Sequence, residues 1–217
     1  MRSILREFPR FEVWFRLNMP GFTVHEGTAA LLNGDDIDTD RIIPARFLTM
    51  VTRSGYGELA FCDVRGPDFP LDQAAAKDAT ILIVGTNFGC GSSREHAVWA
   101  IQQAGLQVVI GKKTAQSPAF SDIFRGNASN CGLALIDLEE ADHQKLAEGG
   151  NGQTVSVDLP NQTVRCSGGT FSFEIAPAIK NQLLQGLDLV GMTLAHEAEI
   201  GDYESRQPAY LIPASGN

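Results

Sequence analysis

Cysteine is scarce in this sequence. Cys62, Cys90, Cys131 and Cys166 are the only four in 217 residues, and no two stand close together. Zinc and iron–sulfur sites usually carry a Cys-x-x-Cys clip, and none is present. A metal site made by this chain is therefore not expected, and neither is a disulfide framework. Positive charge is also in short supply. Lys and Arg number 17 against 26 Asp and Glu, which leaves a net charge of −9. Such a surface suits neither non-specific nucleic-acid binding nor docking on anionic lipid. No apolar run near the start reaches signal-peptide length, so secretion is not expected and a cytoplasmic location is. Internal repeats and low-complexity tracts are lacking as well. What remains, at 43% hydrophobic and 20% charged residues, is the composition of a soluble globular protein with room for one good-sized core.

One stretch organises the chain. Ile81-Leu82-Ile83-Val84 reads as a buried strand, and glycines follow at 85, 89 and 91. Ser92 and Ser93 precede Arg94-Glu95-His96-Ala97-Val98-Trp99-Ala100-Ile101, a helical pattern for which either serine is a candidate N-cap. A strand, a glycine loop and a helix start aim backbone N–H groups and the positive end of a helix dipole at one place. Two hydroxyls and the Arg94 guanidinium share that turn, and arginine grips a carboxylate with paired hydrogen bonds. The ligand this predicts is a small anion, a carboxylate or a phosphate. Familiar glycine motifs fit poorly. A dinucleotide loop needs glycine where Arg94 stands, a P-loop needs a lysine, and a nucleophile elbow on Ser93 needs glycine where Glu95 stands. The bland alternative is a tight strand-to-helix turn with serine caps.

The rest of the pattern is α/β. Ala29–Leu32, Gln107–Ile110 and Leu133–Ile136 read as further strands around helices near 94–104 and from Ser117 to Gly126, which implies right-handed crossovers and a parallel sheet. In the second helix Ser117 is the expected cap, with Pro118 at its first position. Phe120, Ile123 and Phe124 are its expected core residues. Residues 111–116 read as a polar insert and 63–80 as a long loop. Four aspartates, at 35, 36, 38 and 40, crowd the turn after the first strand, but the glycine and distal glutamate of a calcium loop are out of register. Residues 46–57 mix basic, aromatic and glycine residues without a period, as a mobile loop does. After a short helix over 139–148, a hairpin turns at Pro160-Asn161, another alternating strand covers 170–175, and helices follow near 178–184 and 195–203.

Asn87-Phe88-Gly89-Cys90-Gly91-Ser92-Ser93-Arg94-Glu95-His96-Ala97 resembles the signature of the aconitase swivel-domain family, and more narrowly that of the small subunits of bacterial 3-isopropylmalate dehydratases. Asp38-Thr39-Asp40 before Ile42-Ile43-Pro44, the Phe-x-Asp-Ile-Phe-x-Gly-Asn run at 120–127, and the tail from Gly186 are similar to the same family, so the resemblance spans about residues 20–210. It implies a swivel-type β/β/α domain over 19–217, with a central, partly parallel sheet flanked by helices plus a β-hairpin region. Residues 1–18 are then a non-essential, disordered extension or a mis-assigned start, or else a partner-binding arm.

The resemblance also implies a chemistry, the removal and re-addition of water that interconverts 2-isopropylmalate and 3-isopropylmalate in leucine biosynthesis. Related dehydratases act on homoaconitate, citraconate/methylmalate or dimethylmalate. The small subunit carries no cofactor. A large subunit completes a heterodimer and holds a [4Fe–4S] cluster. By the family pattern Ser92 is the base, with Asp40 in the catalytic set. Ser93 and Arg94 hold a substrate carboxylate, Thr39 belongs to the substrate-binding set and with Asp40 helps orient active-site groups, Arg53 takes a second carboxylate, and Phe47 and Leu48 contact the variable part of the substrate. His96 is read as structural. A non-catalytic anion-binding module is the contrasting reading.

Overall fold

The computed structural model describes residues 21–50 and 52–208, so readings made on residues 1–18 lie outside the described residues. Strand β1, Val24–Leu32, is shared by two kinds of pairing. Its end from Ala29 to Leu32 runs parallel to β2, Ile81–Val84. Its beginning, Val24 to Thr28, runs antiparallel to β5, Thr154–Asp158. On one side β3, Val108–Lys113, and β4, Ala134–Glu139, extend the parallel half. On the other, β6, Thr163–Cys166, and β7, Gly169–Ser172, extend the antiparallel half. Among the described residues this gives a seven-stranded sheet in the order β4-β3-β2-β1-β5-β6-β7. The partly parallel sheet and the hairpin region are as the sequence implied.

Residues Ile81–Val84 are uninterruptedly apolar because both faces of β2 are covered. Alternate side chains serve opposite faces. Leu82 and Val84 join a core containing Phe88, Ala97, Val98, Ile101, Phe120 and Phe124. Ile81 and Ile83 join another with Ile110, Leu146, Val155 and Leu183. Helices α1, Thr39–Ile42, α2, Glu95–Gln103, and α3, Asp122–Cys131, contribute to the first core. Helices α4, Glu140–Ala147, and α5, Pro177–Gln185, contribute to the second. Gly186 closes α5 in a left-handed conformation, as expected of a C-terminal glycine. The tail holds two helices, α6, Leu189–Leu194, and α7, Glu197–Ser205, where the sequence suggested one.

Several expectations are corrected. The polar insert is half strand, because Gly111, Lys112 and Lys113 keep pairing with Asp137, Leu138 and Glu139 of β4. Helix α3 is capped by Ser121, not Ser117. Pro118, Ala119 and Phe120 are instead drawn out alongside the glycine loop, where Asn87 N donates to Pro118 O (2.7 Å) and Phe88 N to Ala119 O (3.0 Å). The helix also runs past Gly126, whose surroundings are open, to Gly132 in the left-handed region. Phe120 and Phe124 are core residues, but Ile123 is 48% exposed because the later start turns it outward. The loop over 46–57 contains a core element, since Tyr56 is completely buried against the rings of His96 and Trp99.

Candidate active site

The acidic turn and the glycine loop are laced together rung by rung. Gly85 N donates to Gly34 O (3.2 Å), Thr86 N to the Asp35 carboxylate (2.7 Å), and Asp36 N to Thr86 O (3.0 Å). The Asn87 amide donates to the Asp36 carboxylate (2.7 Å), and Gly89 N to Ile37 O (2.7 Å). Thr39 N then donates to Cys90 O (2.9 Å), and the Thr39 hydroxyl to Ser92 O (2.9 Å). The lacing requires left-handed backbone at Asn87 (φ 53°), Gly89 (φ 74°) and Gly91 (φ 88°). Asparagine tolerates that region better than other side chains, and glycine better still. Ser121 fixes the loop from the far side by donating to Gly89 O at 2.7 Å.

This scaffold delivers Ser92 and Ser93 to the surface, where both are exposed. Neither serine is the N-cap of α2. That position belongs to Arg94, in extended conformation (φ −134°, ψ 101°) and without a side-chain capping bond. The reason is local: the extended backbone at Arg94 keeps both serines outside the helix. Thr39 is buried, and its hydroxyl is committed to the Ser92 carbonyl, so it orients the serine from beneath.

Arg94 is largely buried, with a side chain 11% exposed, and its guanidinium pairs with the Asp40 carboxylate. The Arg94 guanidinium beside it holds the Asp40 carboxyl below its ordinary value, so Asp40 is ionised at neutral pH. Asp38 serves differently, capping α1 by accepting from Arg41 N at 2.7 Å. The Arg94 guanidinium is therefore a cation already balanced and aimed by Asp40.

Arg53 comes to the same helix. Its guanidinium lies 4.5 Å from the centre of the Trp99 ring and 3.8 Å from the Glu95 carboxylate. Arg46 takes a different course, pairing with the Asp63 carboxylate over the Phe47 ring, as a surface arginine does. Phe47 and Leu48 are half-buried at the base of this loop, with Phe47 packed against the first core. His96 packs against Trp99 (4.6 Å between ring centres) and Tyr56 (5.3 Å), and burial pushes its pKa down, which favours the neutral ring. Sequence reasoning did not single out Asp35, Asp36 and Asn87, the latch of the loop, or Gln103. An asparagine three residues after the end of a strand is a local turn signal. Gln103 carries no such signal.

Among the described residues, no group of three or more His, Cys, Asp and Glu is placed to hold a metal ion, so the residues present do not fit an iron–sulfur cluster. No described helix is long and apolar enough to cross a membrane.

The profile of the aconitase C-terminal domain matches residues 19–141, and a profile described as LeuD_N matches residues 144–177. A 3-isopropylmalate dehydratase small subunit from Shewanella amazonensis is 46% identical over 205 residues, covering 88% of this chain and 99% of its own. The chain belongs to the family of 3-isopropylmalate dehydratase small subunits. Small subunits from Shewanella denitrificans and Micrococcus luteus are 44% and 42% identical over 206 and 196 residues, covering 89% and 88% of this chain and 100% and 94% of their own. A crystal structure of 3-isopropylmalate dehydratase from Methanocaldococcus jannaschii superposes with a TM-score of 0.64 at 29% identity, covering 83% of this chain and 99% of that one. The α/β fold of this small-subunit family member is thus the aconitase swivel type.

Proposed function

We propose that this chain is the small subunit of a hydro-lyase that interconverts 2-isopropylmalate and 3-isopropylmalate, a step of leucine biosynthesis, and that it works as a heterodimer with a large subunit. We read residues 19–217 as one swivel-type domain of a cytoplasmic protein that engages neither membrane nor nucleic acid. The observation that carries the proposal is the exposed Ser92 on a loop pinned at Gly89, Cys90 and Ser92 itself, two residues before an Arg94 held by Asp40.

Dehydration of a malate derivative removes a proton α to a carboxylate. That proton is weakly acidic, so the reaction needs a base beside the carbon and cations on the carboxylates. Ser92 is our base. Its hydroxyl is far from its natural pKa in that role, and the loop N–H groups, the start of α2 and Arg94 are the groups that stabilise the charge. Ser93 and Arg94 hold one carboxylate of the substrate, Arg53 the other, and Phe47 and Leu48 border the alkyl substituent. The reaction's Lewis acid, a [4Fe–4S] cluster, belongs in this reading to the large subunit, and no step here is routed through it.

The test is assembly and assay. Co-purified with its large subunit, the chain should isomerise 2-isopropylmalate faster than homoaconitate, citraconate or dimethylmalate. Ser92→Ala should lower kcat about a thousandfold, about 4 kcal/mol of barrier, with the heterodimer intact. A near-wild-type rate would remove Ser92 as base, and full turnover by the lone chain would refute the division of labour.

A further inference from the structure

Glu95, Trp99 and Gln103 stand four residues apart along α2 and so share one stripe of the helix. All three engage Arg53, each in a different way. The Glu95 carboxylate lies 3.8 Å from the guanidinium. The Trp99 ring lies beneath it at 4.5 Å. The Gln103 amide donates to the Arg53 carbonyl at 2.7 Å, and the same side chain accepts from Tyr56 N at 2.9 Å. Around these contacts the loop is seated by shape. Tyr56 is fully buried, and a side chain at Gly57 would overlap the Gln103 carbonyl. Glu95 is itself steadied from behind, where the Cys131 thiol donates to its Oε1 at 3.3 Å.

We infer that α2 positions the substrate's second carboxylate, with Gln103 as the positioning residue that fixes the Arg53 backbone and Glu95 and Trp99 as the rest of its guanidinium. The inference deepens the reading of Arg53 as a substrate ligand and rests on it. One rigid helix then carries both ends of the ligand site: Arg94 precedes its first residue, and Arg53 is strapped along its side. The separation between the two carboxylate-binding groups is set by helix geometry, not by the loop. The Arg53 side chain as a whole is 40% exposed along this stripe, so a carboxylate can approach it without unfolding the loop.

The test uses the full chain assembled with its large subunit. Gln103→Ala should raise KM for 2-isopropylmalate about tenfold, the worth of one hydrogen bond to the loop, and leave kcat within about twofold. Gln103→Glu keeps the acceptor for Tyr56 N but sets a carboxylate oxygen against the Arg53 carbonyl, so its KM should rise at least as much, and it serves if the alanine variant folds poorly. In an Arg53→Ala background, Gln103→Ala should add nothing further to KM. A readout independent of activity is tryptic cleavage after Arg53 in the full chain, which should speed up about tenfold once the Arg53 carbonyl is released. An unchanged KM in both Gln103 variants, while Arg53→Ala raises it, overturns the positioning role and leaves the reading of Arg53 standing. An unchanged KM in Arg53→Ala overturns that reading and the inference with it. A Gln103→Ala effect undiminished in the Arg53→Ala background, or one confined to the yield of assembled enzyme, also overturns the positioning role.

Discussion

The division of labour among the four aspartates of residues 35–40 is the clearest lesson at the scale of single residues. Asp35 receives Thr86 N and pairs with Lys112, Asp36 receives Asn87, Asp38 caps α1, and Asp40 balances Arg94. An acidic turn that looks merely solvated is thus a set of separate anchors. Beneath it lies His143, buried to 2% exposure, with Nε2 2.8 Å from the Val84 carbonyl. A carbonyl only accepts, so Nε2 carries the proton in that bond. Burial pushes the His143 pKa down, with Lys112 acting in the same direction, and it outweighs the Val84 hydrogen bond and the Asp35 charge, which act upward. The sign of the pH effect follows. As pH falls below about 6.5, the unfolded chain takes up a proton that folded His143 resists, so stability is full above that pH and declines toward the lowered folded value. His25 and His96 are shifted the same way by burial. Thermal melts should show the midpoint falling by about 3 °C or more between pH 7.5 and 5.5. His143→Gln, which keeps a donor for Val84 O, should flatten that slope. A slope unchanged in the variant would assign the effect to the other histidines.

At the scale of elements, the glycine loop is where strand, helix and turn meet, and its tolerance for change is narrow. Gly89 sits at φ 74°, and a side chain there would overlap the Phe124 ring. Gly89→Ala should therefore cost about 3 kcal/mol in urea unfolding, since conformational strain and overpacking act together. Ser121 caps α3 by accepting from Phe124 N at 3.2 Å and holds Gly89 O, so Ser121→Ala should cost about 1–2 kcal/mol. If either variant unfolds like the wild type, the loop is less tightly seated than these contacts imply. The same elements show what the sequence can and cannot reveal. Ile81–Val84 was legible because a four-residue apolar run ending in glycine has one good reading, a buried strand. The left-handed backbone at Gly89 and Gly91 was legible too, whereas Gly85 is not left-handed and neither serine takes the capping place its position suggested. The start of α3 was not. Ser117-Pro118 is a strong local start signal, yet Pro118, Ala119 and Phe120 offer their carbonyls and ring to the glycine loop, and that pairing is long-range. Gly126 failed as a stop for the converse reason, since an exposed glycine inside a helix costs only about 1 kcal/mol and a better C-cap waits at Gly132. Arg53 could be named only through the family resemblance, and its hold by Glu95, Trp99 and Gln103 required the fold.

At the scale of the whole molecule, the sheet divides the protein into two cores, one per face, and β1 to β3 contribute to both. The site sits where the carboxyl ends of β1 and β2 give way to the acidic turn and the glycine loop, the usual address for ligands in open α/β sheets. Stability should be distributed accordingly. The strands Ile81–Val84 and Val108–Ile110 are buried throughout and lie inside the sheet. Helices α6 and α7 contain no buried residue, and they carry Leu189, Val190, Leu194, Ile200 and Tyr203 with 38% to 61% of each exposed. Burial of apolar area is what couples an element to global unfolding. Native-state hydrogen exchange should therefore find the amides of Leu82, Ile83, Val109 and Ile110 opening only with the whole protein. Those of α6 and α7 should exchange about a thousandfold faster, about 4 kcal/mol less protected, through local opening. The loop residue Tyr56 provides the internal control. Its N–H is held by Gln103 and its ring is in the first core, so it should exchange with α2 and not with the tail. If α6 and α7 proved as protected as β2, the tail would belong to the same cooperative unit as the sheet, despite contributing no buried side chain to either core.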